Sequence, residues 1–126
     1  MLTAPNVTER AVRVLVVEDD AGFRRMLVAA LDDEGFDVLG PAADGFEGVA
    51  LAHSLRPDAV MLDIRMPGLD GLAAGRQIRD ADPAVRLVFL SAYDDQTLQR
   101  EAEALGAHDF LVKGCRLSEL VDALAR

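Results

Sequence analysis

Cysteine, lysine and long apolar runs are almost or wholly missing from this chain of 126 residues. Its single cysteine, Cys115, rules out an internal disulfide, which suits a reducing compartment such as the cytosol. No segment approaches the roughly 18 consecutive apolar residues that a membrane-spanning helix needs. The first ten residues lack the basic start and apolar stretch of a signal peptide. We therefore expect a cytoplasmic protein that has no membrane partner.

Basic residues are scarce as well. Lysine and arginine together number 13, against 22 aspartates and glutamates, so the formal net charge at pH 7 is −9. Contacts to nucleic-acid phosphates need clustered basic side chains. An acidic domain of this size is therefore a poor binder of nucleic acid on its own, and we expect no direct nucleic-acid binding.

The composition is that of one folded domain. Hydrophobic residues make up 51% of the chain and charged residues 28%, which is typical of globular proteins and not of disordered ones. The length is close to the usual size of a domain that buries its own core. Residues 1–10 include Pro5 and a mixed polar sequence, so we expect a flexible tail there, followed by one domain over residues 11–126.

Four apolar runs in the sequence are each followed directly by polar residues. Continuous apolar runs bounded by turn residues are typical of parallel strands that are covered on both faces. The runs are residues 13–17 before Glu18, Asp19 and Asp20, residues 59–62 before Asp63, residues 86–90 before Ser91, and residues 110–112 before Lys113. Open α/β sheets bind ligands at the carboxyl ends of their strands. We therefore expect carboxylates, a hydroxyl and an ammonium group to meet at one edge of a sheet.

Lys113 is the only lysine in the chain, and arginine supplies the rest of the lysine and arginine total. Lysine differs from arginine in carrying a compact point charge on a flexible stem. Its position at a strand end indicates a site that needs such a charge. The alternative, a general preference for arginine with one stray lysine, stays open for this residue considered alone.

Helical patterns alternate with the strand patterns along the sequence. Apolar residues recur at helical spacing between residues 21 and 34, and Gly35 follows in a position typical of a helix end. Further helices are expected over residues 45–55, 72–81, 94–105 and 117–125, with a second strand, interrupted by Gly40 and Pro41, over residues 37–42. Strand–helix units joined by short connections predict an α/β fold, a parallel sheet with helices on both faces.

Four short motifs connect this pattern to a known family. V-V-E-D follows the first strand, L-D-I-R-M-P-G-L-D-G the third, L-S-A the fourth and F-L-V-K the fifth. In this order and spacing they resemble the receiver domain of two-component response regulators, in the CheY-like superfamily, which makes residues 11–126 a receiver domain. The resemblance implies a flavodoxin-like (βα)5 doubly wound parallel sheet with strand order 2-1-3-4-5. It also implies a signalling switch, and not an enzyme beyond catalysing its own phosphorylation and dephosphorylation.

The same resemblance implies that Asp63 is a phosphoacceptor. Its carboxylate would take a phosphoryl group from a histidine kinase or a phosphotransfer protein and form an aspartyl phosphate. Because carboxylate and phosphoryl group are both anions, Mg²⁺ is expected between them. Asp19, Asp63 and the backbone carbonyl of Arg65 are the expected direct ligands. Glu18 would act through water, and Asp20 should begin the first helix.

The remaining site residues follow from the receiver pattern in the same way. Lys113 is expected to pair with the phosphoacceptor carboxylate when no metal is bound and with a phosphoryl oxygen afterwards. Ser91 would donate its hydroxyl to another phosphoryl oxygen, and Phe110 behind it would change rotamer as the switch responds. Arg65 and Tyr93, two residues beyond the phosphoacceptor and the hydroxyl, are expected to tune the lifetime of the phosphoryl group.

One position departs from the family pattern. Receivers often have proline after the lysine, in a cis peptide bond, whereas Gly114 follows Lys113 here. A cis bond without proline costs about 2.5–4 kcal/mol. We therefore expect a trans bond and a rearranged turn over residues 113–117.

Several other classes of protein can be weighed from the sequence. A dehalogenase-type phosphatase would need a second aspartate two residues after Asp63, where Arg65 stands. Neither the G-x-x-x-x-G-K of a P-loop nor the G-x-G-x-x-G of a dinucleotide-binding fold is present. The alternative that remains is a phosphorylation-independent receiver-like module for dimerisation or docking. Either version would use the fourth helix, fifth strand and fifth helix, where a homodimer could form. Since the chain stops at Arg126, we expect a stand-alone receiver or part of a longer regulator.

Overall fold

The computed structural model describes residues 10–125, so Arg126 and residues 1–9 of the expected tail lie outside the described part. Strands and helices alternate as predicted. They are β1 Arg13–Val17, α1 Ala21–Asp33, β2 Asp37–Ala42, α2 Gly45–Leu55, β3 Ala59–Asp63, α3 Gly71–Ala81, β4 Arg86–Ser91, α4 Gln96–Ala104, β5 Asp109–Val112 and α5 Leu117–Ala125. Between residues 10 and 125 no helix is both long and apolar enough to span a bilayer.

The strands form a parallel sheet in the order β2-β1-β3-β4-β5. This is the flavodoxin-like doubly wound arrangement that the sequence predicted. In β1 and β3, Val17 lies opposite Leu62, and in β3 and β4, Asp63 lies opposite Leu90. The carboxyl ends of these strands therefore lie level at one edge. The strand order reverses between β1 and β3, which is where a ligand crevice opens in such sheets.

Helices cover both faces of the sheet. The apolar cluster on one face includes Ala52 of α2, Ile78 of α3 and Ala102 of α4. The cluster on the other face includes Leu27 of α1 and Leu124 of α5. Alternate residues of β1 and β3 enter the two clusters. Both faces of these strands are therefore buried, which explains why their sequences are apolar at successive positions.

Aspartate begins four of the helices. Each aspartate side chain accepts hydrogen bonds from backbone N–H groups of the first turn, which have no partner within the helix. These residues are Asp20 of α1, Asp44 of α2, Asp70 of α3 and Asp95 of α4. The prediction for Asp20 is confirmed. The predicted start of α4 at residue 94 is wrong, because the Asp95 carboxylate accepts the Thr97 N–H at 2.9 Å and the helix begins only at Gln96.

Helix α3 approaches β3 and β4 closely through two glycines. A Cβ added at Gly75 would lie 2.7 Å from Cζ of Phe89, which is fully buried. A Cβ added at Gly71 would overlap the backbone carbonyl of Asp63, and the Gly71 N–H donates to the Ile64 carbonyl at 2.7 Å. Residues 64–70, which follow β3, therefore form a loop that is closed at its base by main-chain contact.

Candidate functional site

Three carboxylates meet at the carboxyl edge of β1 and β3. Glu18 and Asp19 follow β1, Asp63 ends β3, and one oxygen from each lies within 4.8 Å of the others. Glu18 is 1% exposed and Asp63 is 5% exposed, whereas Asp19 faces solvent. This grouping was predicted, because adjacent parallel strands end side by side. Two buried carboxylates this close require positive charge nearby.

Lys113 supplies one positive charge from the end of β5. Its Nζ lies 2.8 Å from Oε1 of Glu18 and 3.4 Å from Oδ2 of Asp63. The backbone N–H of Lys113 donates to the Ser91 carbonyl at 2.7 Å, which extends the β4–β5 pairing up to the site. The expected contact with Asp63 is present, but the shorter contact is with Glu18. The lysine is therefore shared between two carboxylates.

The charge balance of the site is reflected in the pKa values. Burial, and next the negative charge of Glu18, raise the pKa of Asp63 from 3.8 to about 7 even though Lys113 acts in the opposite direction. Burial alone would lower the pKa of Lys113, but its close ion pair with Glu18 and the charge of Asp63 outweigh that effect and raise it. One ammonium group thus leaves the carboxylates short of positive charge.

This donor set fits a hard divalent cation. Carboxylate oxygens are the ligands that Mg²⁺ prefers, usually together with retained waters, and the solvent-facing Asp19 leaves an open side for them. The raised pKa of Asp63 indicates that a second positive charge would be stabilised there. Arg65, whose carbonyl was expected to be a ligand, lies two residues beyond Asp63 at the start of the loop, with its side chain exposed.

The loop from β1 into α1 is fixed by hydrogen bonds around the acidic pair. Oε2 of Glu18 accepts the Asp20 N–H at 3.0 Å. From the first turn of α1, Nη1 of Arg24 donates to the carbonyls of Glu18 and Asp19 at 2.7 and 3.4 Å. The ring of Phe23 lies under Lys113, with Nζ 4.7 Å from the ring centroid.

Neither Phe23 nor Arg24 was predicted to belong to the site. The available signal was their position, because both lie in the first turn of a helix that begins at the same sheet edge as the acidic residues.

Ser91 and Phe110 lie in β4 and β5, and Tyr93 lies between β4 and α4. Ser91 ends β4 and is 1% exposed, and its Oγ accepts the Tyr93 N–H at 3.1 Å. Tyr93 is 63% exposed. Phe110 of β5 lies opposite Phe89 and packs, half-buried, against the apolar cluster that also contains Ala102 of α4. These placements fit the expected roles without testing them.

The turn after Lys113 agrees with the sequence expectation. Every peptide bond in the described part of the chain is trans, including the bond to Gly114, as predicted. Gly114 has φ +95°, a left-handed conformation that favours glycine. The Cys115 N–H donates to the Val112 carbonyl at 3.1 Å, which closes the turn ahead of α5.

Comparison with known proteins gives one consistent result. The family model described as the response regulator receiver domain matches residues 14–125. The chemotaxis protein CheY of Thermotoga maritima is 39% identical over 112 residues, which cover 89% of this chain and 93% of that protein. The transcriptional regulatory protein PdtaR of Mycobacterium tuberculosis is 38% identical over 89% of this chain, which spans 54% of PdtaR. The solved complex of CheX, CheY, BeF3 and Mg²⁺ from Borrelia burgdorferi contains a chain that matches with a TM-score of 0.85 and 30% identity, covering 92% of this chain and 88% of that one.

Proposed function

This chain belongs to the response regulator receiver domain family, and from that premise we propose that it is a phosphorylation-controlled switch of a two-component system with Asp63 as the phosphoacceptor. The observation that supports this most directly is the placement of Asp63. Its carboxylate is buried at a strand end, beside two further carboxylates and the ammonium group of Lys113. A buried carboxyl near a cation and a metal-binding donor set is an arrangement suited to accepting a phosphoryl group.

The phosphoryl group would come from a histidine of a histidine kinase or a phosphotransfer protein. One oxygen of Asp63 forms a bond to phosphorus while the bond from phosphorus to the histidine nitrogen breaks, and that nitrogen keeps the electron pair. The attacking carboxyl must be ionised. Since its pKa is about 7 in the metal-free protein, positive charge close to Asp63 promotes the reaction by favouring the ionised form.

Asp19, Asp63 and the backbone carbonyl of Arg65 would hold Mg²⁺ directly, with Glu18 acting through water. When bound, Mg²⁺ would supply the charge that lets two anionic groups approach each other. The structural relative solved together with BeF3 and Mg²⁺ supports this choice of metal. Lys113 would leave Asp63 for a phosphoryl oxygen, while its second contact, with Glu18, keeps it near the site.

The response to phosphorylation would pass through Ser91 and Phe110. The Ser91 hydroxyl, which now accepts the Tyr93 N–H, would turn to donate to a phosphoryl oxygen and draw residues 92–95 inward. Phe110, only half-buried beside the same cluster as α4, would then change rotamer. Exposed Arg65 and Tyr93 would set how easily water reaches the phosphoryl group, and hence its lifetime.

The output surface would be that of α4, β5 and α5. Two kinds of molecule would interact with the domain in the cytoplasm. One is a histidine kinase or phosphotransfer protein, and the other is an output domain or a homodimer partner. The relative PdtaR, of which this chain spans 54%, supports an output carried by a further domain. The solved complex of CheX and CheY supports binding of a separate partner protein. The domain would act as a switch, with no reaction beyond its own phosphorylation and dephosphorylation.

Phosphorylation by a small donor tests this proposal directly. Wild type and Asp63→Asn are incubated with acetyl phosphate, with Mg²⁺ or with excess EDTA, and analysed by intact mass spectrometry. The expected result is one added phosphoryl group in the wild type with Mg²⁺, and none in the variant or with EDTA. Asp33→Asn, at an exposed site in the last turn of α1, is the matched control and should be phosphorylated like the wild type.

Two outcomes would contradict the proposal. An adduct that persists in Asp63→Asn would mean a different acceptor. Absence of an adduct with any small donor, together with no effect of Mg²⁺ on thermal unfolding, would favour the phosphorylation-independent dimerisation or docking module.

A further inference from the structure

The position of the Lys113 side chain is not fixed by its immediate neighbours in sequence. Gly114, which follows, has φ +95° and brings no side chain. The ammonium group is shared between Glu18 at 2.8 Å and Asp63 at 3.4 Å, and the side chain keeps 23% of its surface exposed. A long flexible stem between two competing acceptors can adopt several positions.

A third contact comes from the aromatic ring of Phe23. The ring centroid lies 4.7 Å from Nζ of Lys113, well within the roughly 6 Å over which a ring attracts a cation. Phe23 occupies the first turn of α1, where its N–H donates to the Asp20 side chain at 3.3 Å. The ring also packs against the apolar cluster between α1 and α5. The position of the ring is therefore restrained both by this packing and by the hydrogen bond of its own backbone.

We propose that Phe23 is a positioning residue that holds the ammonium group of Lys113 over the site through a cation–π contact, so that it is aligned for the phosphoryl oxygen. The expected effect on phosphorylation rests on the proposed function, whereas the contact between Phe23 and Lys113 does not depend on phosphorylation. As a positioning residue, Phe23 would act through Lys113, which its ring contacts.

A neutral aromatic face suits this position better than another acidic residue. An additional carboxylate would also attract Lys113, but it would add negative charge where an anionic phosphoryl group must enter. The face of a ring attracts a cation through its quadrupole and carries no net charge. The contact can therefore restrain Lys113 without opposing the incoming group.

The single lysine of the chain makes the contact measurable. Protein labelled with lysine carrying ¹³C at Cε gives one side-chain signal, which belongs to Lys113. Protons above the face of an aromatic ring are shifted upfield by the ring current. We expect the Lys113 Hε signal of the folded, metal-free wild type to lie upfield of its position in urea.

Three variants separate positioning from packing. Phe23→Leu keeps an apolar side chain but removes the ring, and it should return the Lys113 signal toward its urea position. With Mg²⁺ and acetyl phosphate it should lower the rate of phosphorylation by about threefold to tenfold. Phe23→Tyr keeps the ring face and should restore both readouts. Phe36→Leu makes the same substitution at a residue of the same cluster, 7% exposed and beyond the opposite end of α1, and should change neither.

The outcomes distinguish this inference from the proposed function. If the Lys113 signal of the folded wild type lies at its position in urea, the inference is wrong, whatever the variants show. Equal phosphorylation rates of Phe23→Leu and wild type would also overturn it, as would an equal loss in Phe36→Leu. A wild type with the expected shift that no donor phosphorylates would instead contradict the proposed function and leave the contact established.

Discussion

Replacing Asp63 by asparagine should stabilise the metal-free protein, and should do so more strongly at pH 8 than at pH 5. Burial, together with the nearby charge of Glu18, raises the pKa of Asp63 from 3.8 to about 7 in the folded protein. Between these two values the folded state keeps a proton that the unfolded state has lost. The contribution of Asp63 to stability is therefore lost as the pH rises from about 4 to about 7. Asparagine carries no charge at any of these pH values.

The size of the effect follows from the shift. A tenfold change in proton affinity corresponds to about 1.4 kcal/mol, so ionised Asp63 lowers the free energy of unfolding by about 4 kcal/mol above pH 7. About 2 to 3 kcal/mol of this should appear between pH 5 and pH 8. A constant cost of the substitution, such as an altered hydrogen bond, cancels when the two pH values are compared.

The assay is urea unfolding followed by circular dichroism, at pH 5 and pH 8, with EDTA present. The advantage of Asp63→Asn over the wild type should grow by the amount given above between the two pH values. Asp33→Asn removes one negative charge at an exposed site and should show no such growth. An advantage of Asp63→Asn that is equal at both pH values, or larger at pH 5, would refute the reasoning.

Two further predictions concern the packing of α3 and the charge balance of the site. Gly75→Ala should lower the free energy of unfolding by about 1 to 3 kcal/mol, because the new methyl group would meet the buried Phe89 ring at 2.7 Å. Gly22→Ala in α1, where an added Cβ would make only an ordinary contact with Asp20 Oδ1 at 3.5 Å, should be neutral or stabilising by up to about 1 kcal/mol in the same urea titration. Equal losses in both variants would contradict this explanation. Lys113→Ala should cost about 3 kcal/mol without metal, since two buried carboxylates lose their cation. Added Mg²⁺ should recover part of that loss, and an unchanged urea midpoint in EDTA would count against the ion pairs.

The fold could be predicted from sequence because four of the five strands are apolar runs and helical segments alternate with the strands. The strand order was implied by the family resemblance and not by the runs themselves. The error at the start of α4 has a local cause. Asp94 and Asp95 are adjacent residues of the same type, and either could cap a helix. The hydrogen bonds from the Thr97 and Leu98 N–H groups to the Asp95 side chain distinguish them in the folded chain.

The sequence predicted which residues of the site share an edge of the sheet. It did not predict which of their atoms are in contact. Because Asp63 and Lys113 each follow an apolar run, they could be predicted to lie at the same edge of the sheet. The sequence did not indicate that Lys113 lies closer to Glu18 than to Asp63, because that depends on how far each side chain reaches. Glutamate has one more methylene than aspartate. The contact of Phe23 depends likewise on how α1 leaves the sheet, which a helical pattern does not specify.

The closed base of the loop after β3 gives the site a stiff side and a compliant side. The Ile64 N–H donates to the Leu90 carbonyl at 3.1 Å, and its carbonyl accepts the Gly71 N–H, so the backbone next to Asp63 is anchored to β4 and to α3. The segment after Ser91 has a surface residue, Tyr93, and a side-chain hydroxyl as an anchor. We therefore expect a displacement that begins at Asp63 to meet more resistance toward α3 than toward α4. The architecture would then set the direction in which the domain deforms, before any partner binds.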